Sequence, residues 1–88
     1  MTHVNIKIFG EVQGVFFRDS ARLKAREIGI TGFVKNEPDG AVYMEAEGDE
    51  EALGQFLEWC KYGFESAKVE KVESFPGNVK GFLDFIIK

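Results

Sequence analysis

Alternating apolar and polar residues predict β-strands at residues 3–9, 30–36 and 41–47, because alternate side chains of a strand point to opposite faces. The inward row of the first strand is Val4, Ile6 and Ile8. Residues 37–40, with the sequence EPDG, separate the second and third strands and are typical of a tight turn. These two strands are therefore predicted to form a hairpin.

Two later segments are also predicted to be extended. In residues 67–75, Val69 and Val72 have opposite parity, which predicts a bulge or a twist in the strand. Residues 82–87 form a last, short strand, whose apolar row is Phe85 and Ile87.

Residues 17–28 have apolar positions at helical spacing and predict a first amphipathic helix. Its buried face comprises Phe17, Ala21, Ala25 and Ile28. Gly29 is placed to end the helix in a left-handed conformation. Aromatic residues at a junction between a strand and a helix are commonly buried, so both Phe16 and Phe17 are expected to pack in the core.

A second helix follows Gly48, with Asp49 as the predicted N-cap and Gly63 as the predicted end. Its core stripe is Leu53, Phe56, Leu57 and Cys60. Cys60, the single cysteine, is expected to be a small buried apolar residue, since no base or electropositive helix start accompanies it in the pattern.

The predicted order is βαββαβ with a short C-terminal strand. Because both helices are amphipathic, they can cover one face of a single antiparallel sheet, which is the ferredoxin-like α+β sandwich. Eighty-eight residues are expected to form one domain, 1–88. The other face of the sheet is expected to be open, with Phe33 and Tyr43 beside Glu45 and Glu47.

Composition narrows the protein class. A chain with 44% apolar and 14% aromatic residues is too hydrophobic to be disordered, and no apolar run is long enough to span a membrane. With no signal peptide ahead of the first strand and one cysteine, we expect a cytoplasmic protein without a membrane partner. His3, the only histidine, is expected to be exposed near the N-terminus, and no second histidine accompanies it in a metal site.

The net charge of −4 is unevenly distributed. Residues 1–36 hold six basic and three acidic side chains, whereas residues 37–88 hold five basic and twelve acidic ones. A nucleic-acid-binding domain is usually basic overall or along a continuous face. The pattern therefore favours a small anion bound at a local positive site over a nucleic acid.

Residues 10–18, with the sequence GEVQGVFFR, join the first strand to the first helix. A glycine-containing turn can direct several backbone N–H groups toward an anion, and the first turn of a helix adds further free N–H groups. Arg18 is placed to bind the same anion with its guanidinium. We interpret this segment as a phosphate-binding loop, although each residue alone also fits ordinary turn or solvent-exposed helix chemistry.

The same segment resembles the signature of the acylphosphatase family, Gly-x-Val-Gln-Gly-Val-x-Phe-Arg. The family's second stretch, Gly-aromatic-Val-Lys-Asn followed by Gly-x-Val, is similar to residues 32–36 and 40–42. The resemblance covers nearly all of the chain and implies the same ferredoxin-like fold. One departure is Gly63-Phe64, where the family often has Gly-Pro or Gly-Ser, away from the matched motifs.

The resemblance implies hydrolysis of acyl phosphates without a metal, a cofactor or a phosphoenzyme. The N–H groups of Gln13, Gly14, Val15, Phe16 and Phe17 and the side chain of Arg18 would bind the phosphoryl group. Asn36 would orient the attacking water, whose proton the substrate's own phosphate oxygens would take. Inorganic phosphate or sulfate would bind at the same place, and the protein is expected to be a monomer.

Two other interpretations remain open at this point. One is a non-catalytic anion-binding or regulatory module, since similar domains occur inside larger maturation proteins. The presence of both Arg18 and Asn36 argues against it. The other is an RNA-binding sheet of the same topology, against which the acidic residues of the open face argue.

Overall fold

The structure is a computed structural model that describes residues 1–62 and 67–88. It contains one sheet of five strands in the order β4-β1-β3-β2-β5. The strands are β1 (Thr2–Glu11), β2 (Thr31–Asn36), β3 (Val42–Gly48), β4 (Lys68–Gly77) and β5 (Phe85–Ile87), and the helices are α1 (Phe17–Ile28) and α2 (Glu50–Tyr62). The order of elements and the ferredoxin-like sandwich are as predicted.

One pairing differs from the expected all-antiparallel sheet. β1 pairs with β3 and β4, and β2 pairs with β3, all antiparallel, but β5 runs parallel to β2. The reason is the path of residues 78–84. They leave the β4 edge, cross the face of the sheet opposite the helices and bring the chain to the β2 edge, where β5 runs in the direction of β2.

The irregularity predicted between Val69 and Val72 is a bulge. Phe9 pairs with Lys71 while Gly10 pairs with Val69, so one extra residue of β4 lies between them. Gly10 has φ 134°, and a Cβ atom there would collide with the backbone carbonyl of Lys68. This glycine therefore allows the two strands to approach closely where β1 leads into the loop before α1.

Both helices cover the same face and bury their predicted stripes. The largest fully buried side chains between the layers include Phe17, Phe56, Phe85, Ile6, Ile8 and Met44. Cys60 is also fully buried, and this burial raises the pKa of its thiol, as expected of a packing residue. The predicted helix ends agree where they are described: Gly29 is left-handed, and Asp49 accepts a hydrogen bond from the Ala52 N–H at 2.8 Å.

Gly63, the predicted end of α2, and the Gly63-Phe64 departure from the family pattern lie outside the described residues.

The prediction of an exposed His3 is wrong, and the far face of the sheet is not open at this point. His3 is 2% exposed, and Phe33, Glu45 and Glu47 are buried as well. Phe82 covers them, with its ring centroid 5.9 Å from that of His3 and 5.8 Å from that of Phe33. Parity correctly predicted the face of these side chains but not the segment that crosses it.

A far-face cluster, defined here as His3, Glu45, Glu47 and Lys80, holds this crossing segment to the sheet. Glu47 accepts hydrogen bonds from the backbone N–H groups of Lys80, Gly81 and Phe82, and one of its oxygens lies 2.7 Å from Nδ1 of His3. Nζ of Lys80 donates to Glu45 at 2.7 Å.

Burial alone would raise the pKa of Glu47, but hydrogen bonds from the Lys80 N–H, the His3 ring and the other two N–H groups outweigh it. The pKa of Glu47 is therefore lowered from its usual 4.5. A buried carboxylate with this many donors stays ionised and satisfied.

Candidate functional site

Residues 12–18 lead from β1 into α1. Side chains packed in or against the core alternate there with exposed ones. Val12 and Phe17 are each 1% exposed, and Val15 packs against the core between them. Gly14 and Phe16 lie at exposed positions of the same loop and have left-handed backbones, with φ of 75° and 63°. Alternating backbone conformations of this kind are typical of the anion-binding loops called nests.

The backbone N–H groups of residues 13–16 and of Arg18 donate to no acceptor in the part of the chain that the structure describes. The first hydrogen bond of the helical ladder runs from the Ser20 N–H to the Phe16 carbonyl, at 3.0 Å. No side chain among the described residues caps this end of α1 with a hydrogen bond. The loop and the helix start thus offer a run of unused donors, at the end of the helix that carries a partial positive charge.

A cavity of about 190 Å³ opens at this loop, lined by Val12, Gly14, Phe16, Phe17, Arg18 and Asp19. Arg18 is half-buried, and its guanidinium forms no hydrogen bond or ion pair with any described residue. Asp19, the acidic residue of the lining, lies 3.5 Å from the guanidinium of Arg22. Arg18 is therefore the cationic residue of the cavity lining, and it has no carboxylate partner among residues 1–62 and 67–88.

The side chain of Gln13 links the loop to the turn between β2 and β3. Its Nε2 donates to the backbone carbonyls of Glu37 and Ala41, each at 2.8 Å. The Glu37 N–H in turn donates to the Ala41 carbonyl, which closes the turn. Sequence reasoning assigned only the backbone N–H of Gln13 and missed this bridge, because two carbonyls exposed by a turn leave no signal in the sequence.

The bridge brings the loop to the segment that contains Asn36. Asn36 ends β2 opposite Val42 and shares the helix-facing side with Val34, as its parity predicted. Its Oδ1 atom is buried and accepts no hydrogen bond from the described residues. A buried amide oxygen without a donor costs free energy, so this atom is suited to accept from a water molecule or a ligand.

The expected burial of Phe16 and Phe17 holds for only one of them. The ring of Phe17 lies 5.5 Å from that of Trp59 in the core, whereas Phe16 is 75% exposed. Phe16 is also the one non-glycine residue with positive φ among the described positions, a conformation that costs on the order of 1–3 kcal/mol. The left-handed turn directs its ring away from the core, and sequence spacing alone does not reveal this.

In residues 1–62 and 67–88 we find no cluster of three or more His, Cys, Asp or Glu side chains arranged to hold a metal ion. None of the helices described there is long and apolar enough to cross a membrane.

The family model for acylphosphatase matches residues 4–87. An acylphosphatase of Methylococcus capsulatus is 42% identical over 88 residues, which cover 99% of this chain and 96% of the relative. An acylphosphatase of Marinobacter nauticus is 47% identical over 83 residues, covering 92% and 89%.

Solved structures agree with the sequence comparisons. The crystal structure of an acylphosphatase from Bacillus subtilis superimposes with a TM-score of 0.97 at 36% identity and covers 100% of this chain and 99% of that one. The full-length structure of HypF superimposes with a TM-score of 0.88 at 29% identity, but only 12% of that chain is covered. With the match over residues 4–87, these similarities show that the chain belongs to the acylphosphatase family.

Proposed function

We propose that residues 13–18 bind the phosphoryl group of an acyl phosphate and that Asn36 orients the water that attacks it. Membership of the family makes the protein a hydrolase that acts on an acid anhydride, the mixed anhydride of a carboxylic acid and phosphate. The observation that best supports phosphoryl binding is the run of N–H donors without an acceptor at residues 13–16. In the described structure these donors lie beside the unpaired guanidinium of Arg18.

The proposed binding step is electrostatic. Several N–H donors can each bond to an equatorial phosphoryl oxygen, and the start of α1 adds its partial charge. Arg18 would bind two oxygens at once, which fixes the orientation of the group as well as its position. Preorganised donors of this kind stabilise the charge that spreads over the phosphoryl oxygens in the transition state.

In the proposed chemical step, the oxygen of water forms a bond to phosphorus as the bond from phosphorus to the carboxylate oxygen breaks. The products are a carboxylate and inorganic phosphate. The water proton passes to an oxygen of the transferring phosphate, so no side chain has to act as a general base. The buried Oδ1 of Asn36 is suited to accept one hydrogen bond from this water and to hold it in line.

The leaving group explains why so few groups suffice. A carboxylate is a weak base, with a pKa near that of Asp or Glu, about 4, and it departs without being protonated. Positioning and charge stabilisation are then the main requirements, which loop donors, one arginine and one amide can supply.

The direct test is turnover of benzoyl phosphate, measured with and without a chelator, together with inhibition by inorganic phosphate. We expect turnover that does not change on chelation and competitive inhibition by phosphate or sulfate. Activity that is abolished by the chelator and restored by Mg²⁺ would contradict the metal-independent mechanism. Phosphate binding without any turnover would favour a non-catalytic anion-binding module.

We further propose that residues 1–88 act as a single acylphosphatase-like domain, as a monomer in the cytoplasm, on a small-molecule substrate and without a nucleic-acid partner. Supporting a single domain, all five strands belong to one sheet. The one cysteine is buried and free, which suits a reducing compartment. Light scattering on the purified chain tests the monomer, and a mass of twice 9.9 kDa would contradict it.

A further inference from the structure

We propose that the exposed ring of Phe16 selects the substrate: it contacts the acyl group and favours acyl phosphates whose acyl group is aromatic or bulky and apolar. The inference rests on the proposed function of residues 13–18 and adds a substrate class to it.

The ring of Phe16 has no structural role in the described part of the protein. It is 75% exposed, it takes part in none of the ring contacts found there, and it belongs neither to the core nor to the apolar residues packed against it. Its neighbour Phe17 supplies the core aromatic at this junction. Packing against residues 1–62 and 67–88 therefore does not account for a large aromatic side chain at position 16.

The backbone of position 16 does not require phenylalanine either. Residue 16 has φ 63°, close to the φ 75° of Gly14 two positions earlier, and glycine adopts this conformation without strain. A bulky L-residue is disfavoured there. Position 16 thus combines an unfavourable backbone conformation with an unfavourable exposure of apolar surface, and strain of this kind is concentrated at functional sites.

The location of the ring supplies the missing reason. Phe16 lines the same cavity as Gly14 and Arg18. Suppose that the phosphoryl group is bound by the loop donors and by Arg18. Its leaving carboxylate must then point away from the attacking water, so the acyl group extends toward the rim, the solvent-exposed edge of the cavity. An exposed aromatic ring at this rim gains by burial against an apolar or aromatic acyl group, and gains little against an acetyl group.

The test compares benzoyl phosphate with acetyl phosphate in the wild type and in Phe16→Gly. Glycine removes the ring and can adopt the left-handed backbone conformation of residue 16 without strain. We expect the kcat/KM for benzoyl phosphate, divided by that for acetyl phosphate, to be about tenfold lower in the variant than in the wild type. The main cause should be a higher KM for benzoyl phosphate. Because both substrates carry the same phosphoryl group, an effect of the glycine on the phosphate-binding loop would change both kcat/KM values alike and would cancel in their ratio.

Two further variants sharpen the result. Phe16→Leu keeps an apolar side chain and should restore part of the preference. Leu83→Gly removes another exposed apolar side chain, 98% exposed and absent from the cavity lining, and should change neither kcat/KM value.

An unchanged ratio in Phe16→Gly would overturn the role of the ring while leaving the proposed function intact. Equal losses for both substrates together with weaker phosphate binding would also overturn it, because Phe16 would then only shape the loop. Absence of turnover of either substrate by the wild type would overturn both proposals. A binding measurement gives an independent check: phenylphosphonate should lose more affinity in Phe16→Gly than methylphosphonate does.

Discussion

Two regions of this molecule contain runs of neighbouring backbone N–H groups, and they differ in whether those groups have an acceptor within the described chain. The N–H groups of Lys80, Gly81 and Phe82 all donate to the carboxylate of Glu47, which lies buried on the far face of the sheet. Those of residues 13–16 donate to no described residue, and they lie in a loop with two exposed left-handed positions. The far-face cluster supplies its own anion, whereas the loop offers equivalent donors to a cavity.

The difference shows how one interaction can serve stability in one place and binding in another. Donors that are satisfied within the chain contribute to the free energy of folding, because the interaction exists only in the folded state. Donors that remain unused contribute nothing to folding and are available to a ligand. Mutations in the two regions should therefore separate activity from stability.

The largest effect is expected from Arg18→Ala. Removing the guanidinium should lower kcat/KM on the order of 10³-fold and also weaken phosphate binding. The reason is that Arg18 is proposed to bind the phosphoryl oxygens in both the ground state and the transition state. The free energy of unfolding should change by less than about 0.5 kcal/mol. Arg26→Ala, on the same helix and paired with Asp84 at 3.0 Å, is the matched control and should keep full activity. Unchanged phosphate affinity in Arg18→Ala would mean that Arg18 does not bind the phosphoryl group.

Asn36→Ala should reduce kcat by about 10²–10³-fold, or 2.7–4 kcal/mol, while the Kd of phosphate stays within about twofold. The variant should unfold no more readily than the wild type, because the deleted Oδ1 is buried without a donor in the described structure. Calorimetric titration of phosphate and chemical denaturation measure the two effects, with the exposed Asn78→Ala as control. Loss of phosphate affinity would instead make Asn36 part of the phosphate-binding loop's site.

Glu47→Ala should show the opposite behaviour. Deleting the carboxylate removes the acceptor of three backbone N–H groups and the partner of His3, and should lower the free energy of unfolding by about 3 kcal/mol. The kcat/KM per folded molecule should stay within about twofold. Glu58→Ala, an exposed glutamate on α2, is the matched control. A large loss of activity with unchanged stability would contradict the division between the two regions.

Gln13→Ala should give a smaller effect of both kinds, since this side chain joins the loop to the turn after Asn36. Losing its two hydrogen bonds, to the carbonyls of Glu37 and Ala41, should cost about 1–2 kcal/mol of stability. We expect kcat/KM to fall about tenfold because the loop and Asn36 are then held less firmly. Unchanged kinetics would show that the bridge is purely structural.

The smallest expected effect is the pH dependence of stability from Glu47. Its pKa is lower in the folded protein than the usual 4.5, so its contribution is fully present above about pH 4.5 and is lost as the pH falls through the folded value. Thermal unfolding measured from pH 6 downward should show a steeper fall below pH 4.5 for the wild type than for Glu47→Ala. Parallel curves would mean that this carboxylate is not stabilised by folding.

Local patterns in the sequence determined most of the fold. Alternation and helical spacing located the elements, and the opposite parity of Val69 and Val72 correctly indicated the bulge. The glycines and Arg18 of residues 10–18 also predicted a phosphate-binding loop, which stays a proposal. These features depend on periodicity and on backbone conformations that few residue types adopt, so they can be read from a single segment.

What only the tertiary structure decided depends on segments that are distant in the sequence. The burial of His3 requires residues 80–82, which cross the far face of the sheet, and the bridge from Gln13 requires the turn that follows β2. The exposure of Phe16 depends on a left-handed turn that spacing does not encode. Local propensity concerns one segment at a time, whereas burial and hydrogen-bond partners are properties of the whole packed chain.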